Sequence, residues 1–142
     1  MFSPEKIEKM RRMGLKITPQ RLAILEYLEG NLSHPTAEDI YRHVRKRFPS
    51  ISFATVYNTL EALKEKGLVR ELYIGGTKKR FDPNTQPHHH FFCLSCGNIL
   101  DIREEIRIKI PQKLREKTII KEISLLLVGI CWNCLPKNLT KS

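Results

Sequence analysis

No apolar run in the sequence approaches the length of a membrane-spanning helix. The longest, Ile123 to Trp132, is broken by Ser124 and Gly129 and reaches about half of what a bilayer requires. The first residues lack the basic-then-apolar pattern of a secretory signal, so the expectation is a soluble, cytoplasmic protein with no membrane partner. Internal repeats and low-complexity tracts are absent. Cysteines are few and none is left over: the four fall in the pairs Cys93/Cys96 and Cys131/Cys134. Neither pair sits in a βαβ pattern, which argues against a thioredoxin-like redox role. No spare carboxylate or histidine has a clear claim to be a general base beside an open metal. An enzyme, such as a metal-dependent hydrolase, is therefore not expected, nor is a small-molecule substrate. Acidic residues are outnumbered, 15 Asp+Glu against 25 Lys+Arg, for a net charge of +10. That excess suggests a polyanionic partner, most simply nucleic acid, although a merely basic soluble surface would give the same count.

The first half reads as helices. Ser3-Pro4 and Thr18-Pro19 are cap-plus-proline starts, the first helix stopping at Gly14 and the second, with Leu22, Leu25 and Leu28 at helical spacing, at Gly30. Thr36, with Asp39 at the capping-box position, opens a third helix carrying Ala37, Ile40, Tyr41, Val44 and Phe48, and Pro49 ends it. Ser52 opens a fourth, with Val56, Leu60 and Leu63 on one face and Gly67 as its stop. In LVRELYIGGTKKRFD, two strand-like runs flank Gly75-Gly76, a tight-hairpin signal. Four helices followed by a hairpin describe a winged helix-turn-helix over residues 1–82. The turn-rich stretch 83–87 reads as a hinge, and residues 88–142 as a second domain. There, Phe91–Cys93 and Asn98–Ile102 are expected strands, residues after Pro111 an expected helix, and Ile119–Ile130 an expected strand. The alternating IRIKI at 106–110 is a further strand candidate.

Two Cys-x-x-Cys pairs point to structural zinc. Thiolate suits Zn²⁺, and a two-residue gap lets both sulfurs of a tight turn reach one ion. The 34 residues between the pairs would make the ion a pin tying the chain end back to the first knuckle. In the run PHHHFFC, strand parity puts His88 and His90 on one face, with His89 and Cys93 on the other. This favours a second metal site separate from the cysteines and leaves His89 exposed. Asp82 and Asp101 are nearby oxygen donors, but taken singly they are better explained as an Asx-turn residue and a solvated strand end. By the same standard His34 is a loop residue and His43 an exposed helical one.

The segments KITPQRLAILEYL, HPTAEDIY and SFATVYNTLEALKEKGLV, the His-x-His and the two cysteine pairs, in this order, resemble the ferric uptake regulator (Fur) family over nearly the whole chain. The likeness is greatest to its peroxide-sensing (PerR) branch. The resemblance implies an α+β chain: an N-terminal winged helix-turn-helix domain followed by a small α/β dimerisation domain pinned by a four-cysteine zinc site. It implies a homodimeric repressor on double-stranded operator DNA, with structural Zn²⁺ on Cys93, Cys96, Cys131 and Cys134. It also implies a regulatory Fe²⁺ or Mn²⁺ on His34, Asp82, His88, His90 and Asp101. Zn²⁺ can substitute there in a preparation, since it binds at least as well by the Irving–Williams order.

Asp101 and Asn58 point to the peroxide branch, because iron sensors usually carry Glu and often Arg at those positions. Ile123 stands where many iron sensors place a further histidine, so a third site is not expected. For the DNA interface, the outward residues Ala54, Thr55, Tyr57 and Asn58 are candidate base contacts. Lys16 resembles a minor-groove residue, and Lys78, Lys79 and Arg80 are candidate phosphate contacts, or simply a solvated wing. Peroxide would be sensed by iron-catalysed oxidation of His34 or His88. The alternatives are a repressor reading Fe²⁺ level by reversible binding and a zinc-pinned adaptor that senses nothing.

Overall fold

Four times in the first half a Ser or Thr precedes a helix, and each time its hydroxyl caps it. The computed structural model describes residues 3–74 and 78–136. Ser3, Thr18, Thr36 and Ser52 accept from the backbone N–H three residues on, opening α1 (Pro4–Arg12), α2 (Pro19–Leu28), α3 (Ala37–Val44) and α4 (Phe53–Glu65). Each such cap contributes about 1 kcal/mol. At Thr36 the capping box is complete: the Asp39 N–H donates to Thr36 Oγ1 at 3.2 Å and the Thr36 N–H to Asp39 Oδ2 at 3.0 Å. Gly14, Gly30 and Gly67 follow α1, α2 and α4 in the left-handed region, where a side chain would be strained. α3 stops at Val44, short of the expected Phe48. The backbone continues as single turns to a Phe48 N–H bonded to the Val44 carbonyl, since a residue before proline disfavours helical geometry.

The chain parts into two compact units between Thr85 and Gln86. In the first, β1 (Arg70–Leu72) pairs antiparallel with β2 (Arg80–Asp82), in the register Arg70–Asp82, Glu71–Phe81, Leu72–Arg80. The expected Gly75-Gly76 turn lies outside the described residues. Ile24, Ile40, Val44, Val56, Leu60, Leu63 and Phe81 form the centre of this unit's core, each with 1% exposure or less. Val56, Leu60 and Leu63 bury one face of α4 and leave Ala54, Thr55 and Asn58 in solvent.

In the second unit β3 (His89–Cys93) is the middle strand, antiparallel to β4 (Ile99–Ile102) and parallel to β5 (Leu126–Gly129); α5 (Gln112–Lys117) lies in the crossover. The long strand expected over Ile119–Ile130 is a correction: only Leu126–Gly129 is strand. Its ladder can be no longer than the five-residue β3 it pairs with. IRIKI forms no strand. The buried hydrophobics of this unit, among the described residues, are Cys93, Ile99 and Cys131, while Ile119, Val128 and Trp132 are exposed.

Candidate metal centres and nucleic-acid interface

The four cysteine sulfurs lie within 4.8 Å of one another. Cys96 Sγ and Cys131 Sγ are 3.8 Å apart, far beyond a disulfide bond. A tetrahedral zinc with Zn–S of about 2.3 Å requires sulfurs about 3.8 Å apart, so the spacing fits. Backbone amides prepare the site: the N–H groups of Cys131 and Cys96 point at Cys93 Sγ at 3.3 and 3.5 Å. They draw the Cys93 thiol down to about 6, against the opposing effect of burial. At Cys134 the Ser95 hydroxyl pulls the thiol down, but the sulfurs of Cys131 and Cys96 and burial outweigh it and push it up to about 11. Cys96 also moves up, the backbone of Asn98 being outweighed by burial and the Cys93 sulfur. Four sulfurs this close cannot all ionise without a cation among them.

In the first unit, His34 sits in the loop before α3 with φ 52°, in the left-handed region, and is 1% exposed. A non-glycine residue held there costs about 1–2 kcal/mol and is kept only where surrounding contacts enforce it. Strand β2 enforces it. Arg80 Nη1 donates to the His34 carbonyl at 3.1 Å, the Phe81 N–H donates to the Pro35 carbonyl at 2.9 Å, and Thr36 bridges to Arg80. The next residue on β2, Asp82, is equally buried and faces His34 Nε2 with Oδ2 at 3.6 Å. Its Oδ1 accepts from the Asn84 N–H at 2.9 Å, so the Asx-turn and the contact with His34 coexist.

In the second unit, the His88 and His90 rings lie 4.4 Å apart. Asp101 is the cross-strand partner of His90 on β4. Its Oδ1 is 3.2 Å from His88 Nε2 and 3.4 Å from His90 Nε2. His88 Nδ1 lies 2.7 Å from the Gln86 carbonyl, which selects the Nδ1–H tautomer and turns the Nε2 lone pair toward Asp101. Two imidazole nitrogens converging on one carboxylate oxygen is a donor set for a proton or a divalent ion.

His89 corrects the expectation of simple exposure. It is half-buried, and its Nδ1 accepts from the Leu125 N–H at 3.0 Å, holding the approach to β5. Parity put it on the opposite face from His88 and His90, but no sequence signal tied it to Leu125.

On α4, Tyr57 is half-buried and Ala54, Thr55 and Asn58 are exposed near the N-terminal end. Lys16 and Lys78 are exposed. Lys79 is not simply solvated: its Nζ donates to Tyr57 Oη at 3.3 Å and pairs with Glu71 at 3.0 Å. Arg80 commits one N–H to the His34 carbonyl. His43 is exposed and stacks on Tyr27, with ring centroids 4.1 Å apart.

Residues 12–128 match the model of the ferric uptake regulator family. The chain is 42% identical over 135 residues to the peroxide operon regulator of Bacillus subtilis, covering 94% of this chain and 93% of that one. It is 39% identical to the peroxide-responsive repressor PerR of Staphylococcus aureus over 94% and 91%. Among solved structures it resembles the Vibrio cholerae ferric uptake regulator, with TM-score 0.69 and 31% identity, covering 87% of this chain and 98% of that chain. It also resembles PerR of Streptococcus pyogenes, with TM-score 0.52 and 30% identity over 91% and 90%. On the strength of this match across most of its length, the chain belongs to the ferric uptake regulator family.

Proposed function

We propose that this protein is a metal-dependent repressor that binds pseudo-palindromic operator DNA as a homodimer and senses peroxide. The observation that carries the sensing site is the convergence of His88 and His90 on the Asp101 carboxylate. Likeness to peroxide-responsive repressors over almost the full chain supports the branch. One regulatory ion is assigned to His34, Asp82, His88, His90 and Asp101, with Fe²⁺ or Mn²⁺ suited to three imidazoles and two carboxylates. A structural Zn²⁺ is assigned to Cys93, Cys96, Cys131 and Cys134. Because the regulatory ligands come from both compact units, their joint occupancy couples the units. In a dimer this sets the spacing of two recognition helices against two half-sites.

Helix α4 serves as the recognition helix. Ala54, Thr55, Tyr57 and Asn58 meet base edges, Asn58 suiting adenine and Tyr57 a thymine methyl. Lys16, Lys78 and Arg80 are the cations available for phosphates, while Lys79 on the same wing is paired with Glu71. The exposed apolar side chains of β5 and its flanks, Leu126, Leu127, Val128 and Ile130, support a second copy as the partner of this unit. The family is one of regulators, and turnover of a small molecule forms no part of the proposal.

Bound Fe²⁺ supplies the one-electron chemistry that activates H₂O₂. The chain supplies what is oxidised: as the O–O bond breaks, the His34 or His88 imidazole would gain one peroxide oxygen and lose two electrons, and the other oxygen would leave as water. An oxidised imidazole is a poor donor, so the site loses a ligand and the DNA-binding form is no longer held. The test is peptide mass spectrometry of Fe²⁺-loaded protein, prepared without oxygen and given a small excess of H₂O₂, beside a Mn²⁺-loaded control. One added oxygen on His34 or His88 in the iron sample alone is expected. Its absence with iron bound would move the assignment to reversible iron sensing.

A further inference from the structure

Glu71 lies on β1, on the wing, where it gathers two lysines and is 13% exposed. Its Oε2 is 2.6 Å from Lys64 Nζ of α4 and its Oε1 is 3.0 Å from Lys79 Nζ at the start of β2. Lys79 in turn donates to Tyr57 Oη at 3.3 Å, and its ammonium lies 5.8 Å from the Tyr57 ring and 5.9 Å from the Tyr73 ring. Lys64 keeps a second partner, Glu61, at 3.2 Å. Among the described residues Glu71 is the carboxylate paired with Lys79, whereas Lys64 has two, Glu61 and Glu71. The electrostatics agree. Hydrogen bonds from Lys64 and then Lys79 hold the Glu71 carboxyl below its ordinary range, and the bonds of Lys79 to Glu71 and Tyr57 hold its ammonium above its own.

We infer that Glu71 is a positioning residue of the DNA interface: it clamps Lys79 against Tyr57 of α4, fixing that ring while keeping the cation off the phosphate backbone. The inference rests on the proposed function, in which α4 and the wing face DNA. A free wing lysine attracts any phosphate and so adds affinity without sequence preference. A lysine neutralised by Glu71 and turned onto Tyr57 adds little to that background and orients a base-reading side chain. The acid thus trades non-specific affinity for discrimination.

The test uses full-length, Mn²⁺-loaded protein and two probes across a salt series: a duplex selected from a random pool by the wild-type protein, and poly(dI-dC). Glu71→Gln should bind poly(dI-dC) several-fold tighter, with a salt slope steeper by about 1, the contribution of one added phosphate contact. Its ratio of selected to non-specific affinity should fall. Lys79→Met should lose discrimination with no gain on poly(dI-dC), and Glu71→Gln in that background should leave the slope unchanged. An unchanged slope and ratio in Glu71→Gln would overturn the clamp. So would equal weakening on both probes, which a merely structural role predicts. If the wild-type protein selects no duplex, the DNA-binding assignment beneath the clamp falls with it.

Discussion

Replacing Cys96 with serine should unfold the second unit and leave the first intact. Cys96 is the exposed member of the cysteine set, so Cys96→Ser removes a proposed zinc ligand with almost no loss of packing. Of the buried hydrophobics described in this unit, Cys93 and Cys131 belong to the proposed zinc set and only Ile99 does not. Fully burying one isoleucine contributes about 1.5–3 kcal/mol, whereas ordering each residue costs about 1–2 kcal/mol. A structural zinc site contributes about 10–16 kcal/mol at neutral pH, more than the roughly 3–9 kcal/mol net stability expected of a unit this short. Losing most of the zinc term therefore exceeds what remains. The chain has a single tryptophan, Trp132, which lies between Cys131 and Cys134 and reports the site. The four long helices of the first unit dominate the far-UV circular dichroism. Cys96→Ser, or chelation of the wild-type protein, should abolish the cooperative Trp132 fluorescence transition in urea. The helical transition should survive. A variant whose Trp132 transition keeps its wild-type midpoint with no zinc bound would refute the argument that metal rather than packing holds this unit.

Three further outcomes follow from single contacts. Arg80→Met should cost about 1.5–3 kcal/mol in urea unfolding of the first unit, because it removes a charged donor from the His34 carbonyl; a purely DNA-contacting arginine would leave stability unchanged. His89→Phe should cost about 1 kcal/mol and raise amide hydrogen exchange at Leu125 and along β5, and unchanged exchange there would show the bond carries nothing. Partial burial raises the Asp39 carboxyl, but the Thr36 N–H and hydroxyl, together with Arg42, bring it below its usual value. A depressed carboxyl stabilises above its unfolded value of 3.8 and loses that contribution as pH falls through the folded one. Asp39→Asn should therefore lower the melting temperature of the first unit slightly at pH 7, and the difference should vanish as pH falls below 3.8 through the depressed folded value, a convergence that thermal melts across pH would test.

What could be read from the sequence divides by the range of the interaction. Helix starts, and the stops at Gly14, Gly30 and Gly67, were legible because Ser3, Thr18, Thr36 and Ser52 bond three residues away and the glycines act on their own backbone. The cysteine set was legible because ligand chemistry prescribes its spacing, and the shared face of His88 and His90 because a strand alternates. The length of β5 was not, since it depends on a partner strand over thirty residues earlier. Asp101 was legible as a nearby oxygen donor and, by family resemblance, as a ligand, but its place beside His90 is set by the β3–β4 register, which no local signal gives. Asp82 and His34 were suggested by family resemblance rather than by spacing. Glu71 and Arg80 carried no local signal, for their partners lie on other elements.

Strand β2 shows why these distant pairings matter to the proposed sensor. In three consecutive residues it supports the His34 carbonyl through Arg80, buries Phe81 in the core beside the Pro35 carbonyl, and sets Asp82 against the His34 ring. The same strand forms half of the wing and is preceded by Lys79. The His34 loop is left-handed and buried, so it cannot shift far while β2 keeps all three contacts. Any change that turns the His34 imidazole away from its ligand position must move the loop backbone, strain the Arg80 bond, or leave Asp82 buried beside an altered ring. Each of these bears directly on β2. The proposed ligand histidine and the proposed DNA-facing wing are therefore joined by hydrogen bonds across one strand, a route by which a lesion at His34 would reach the wing.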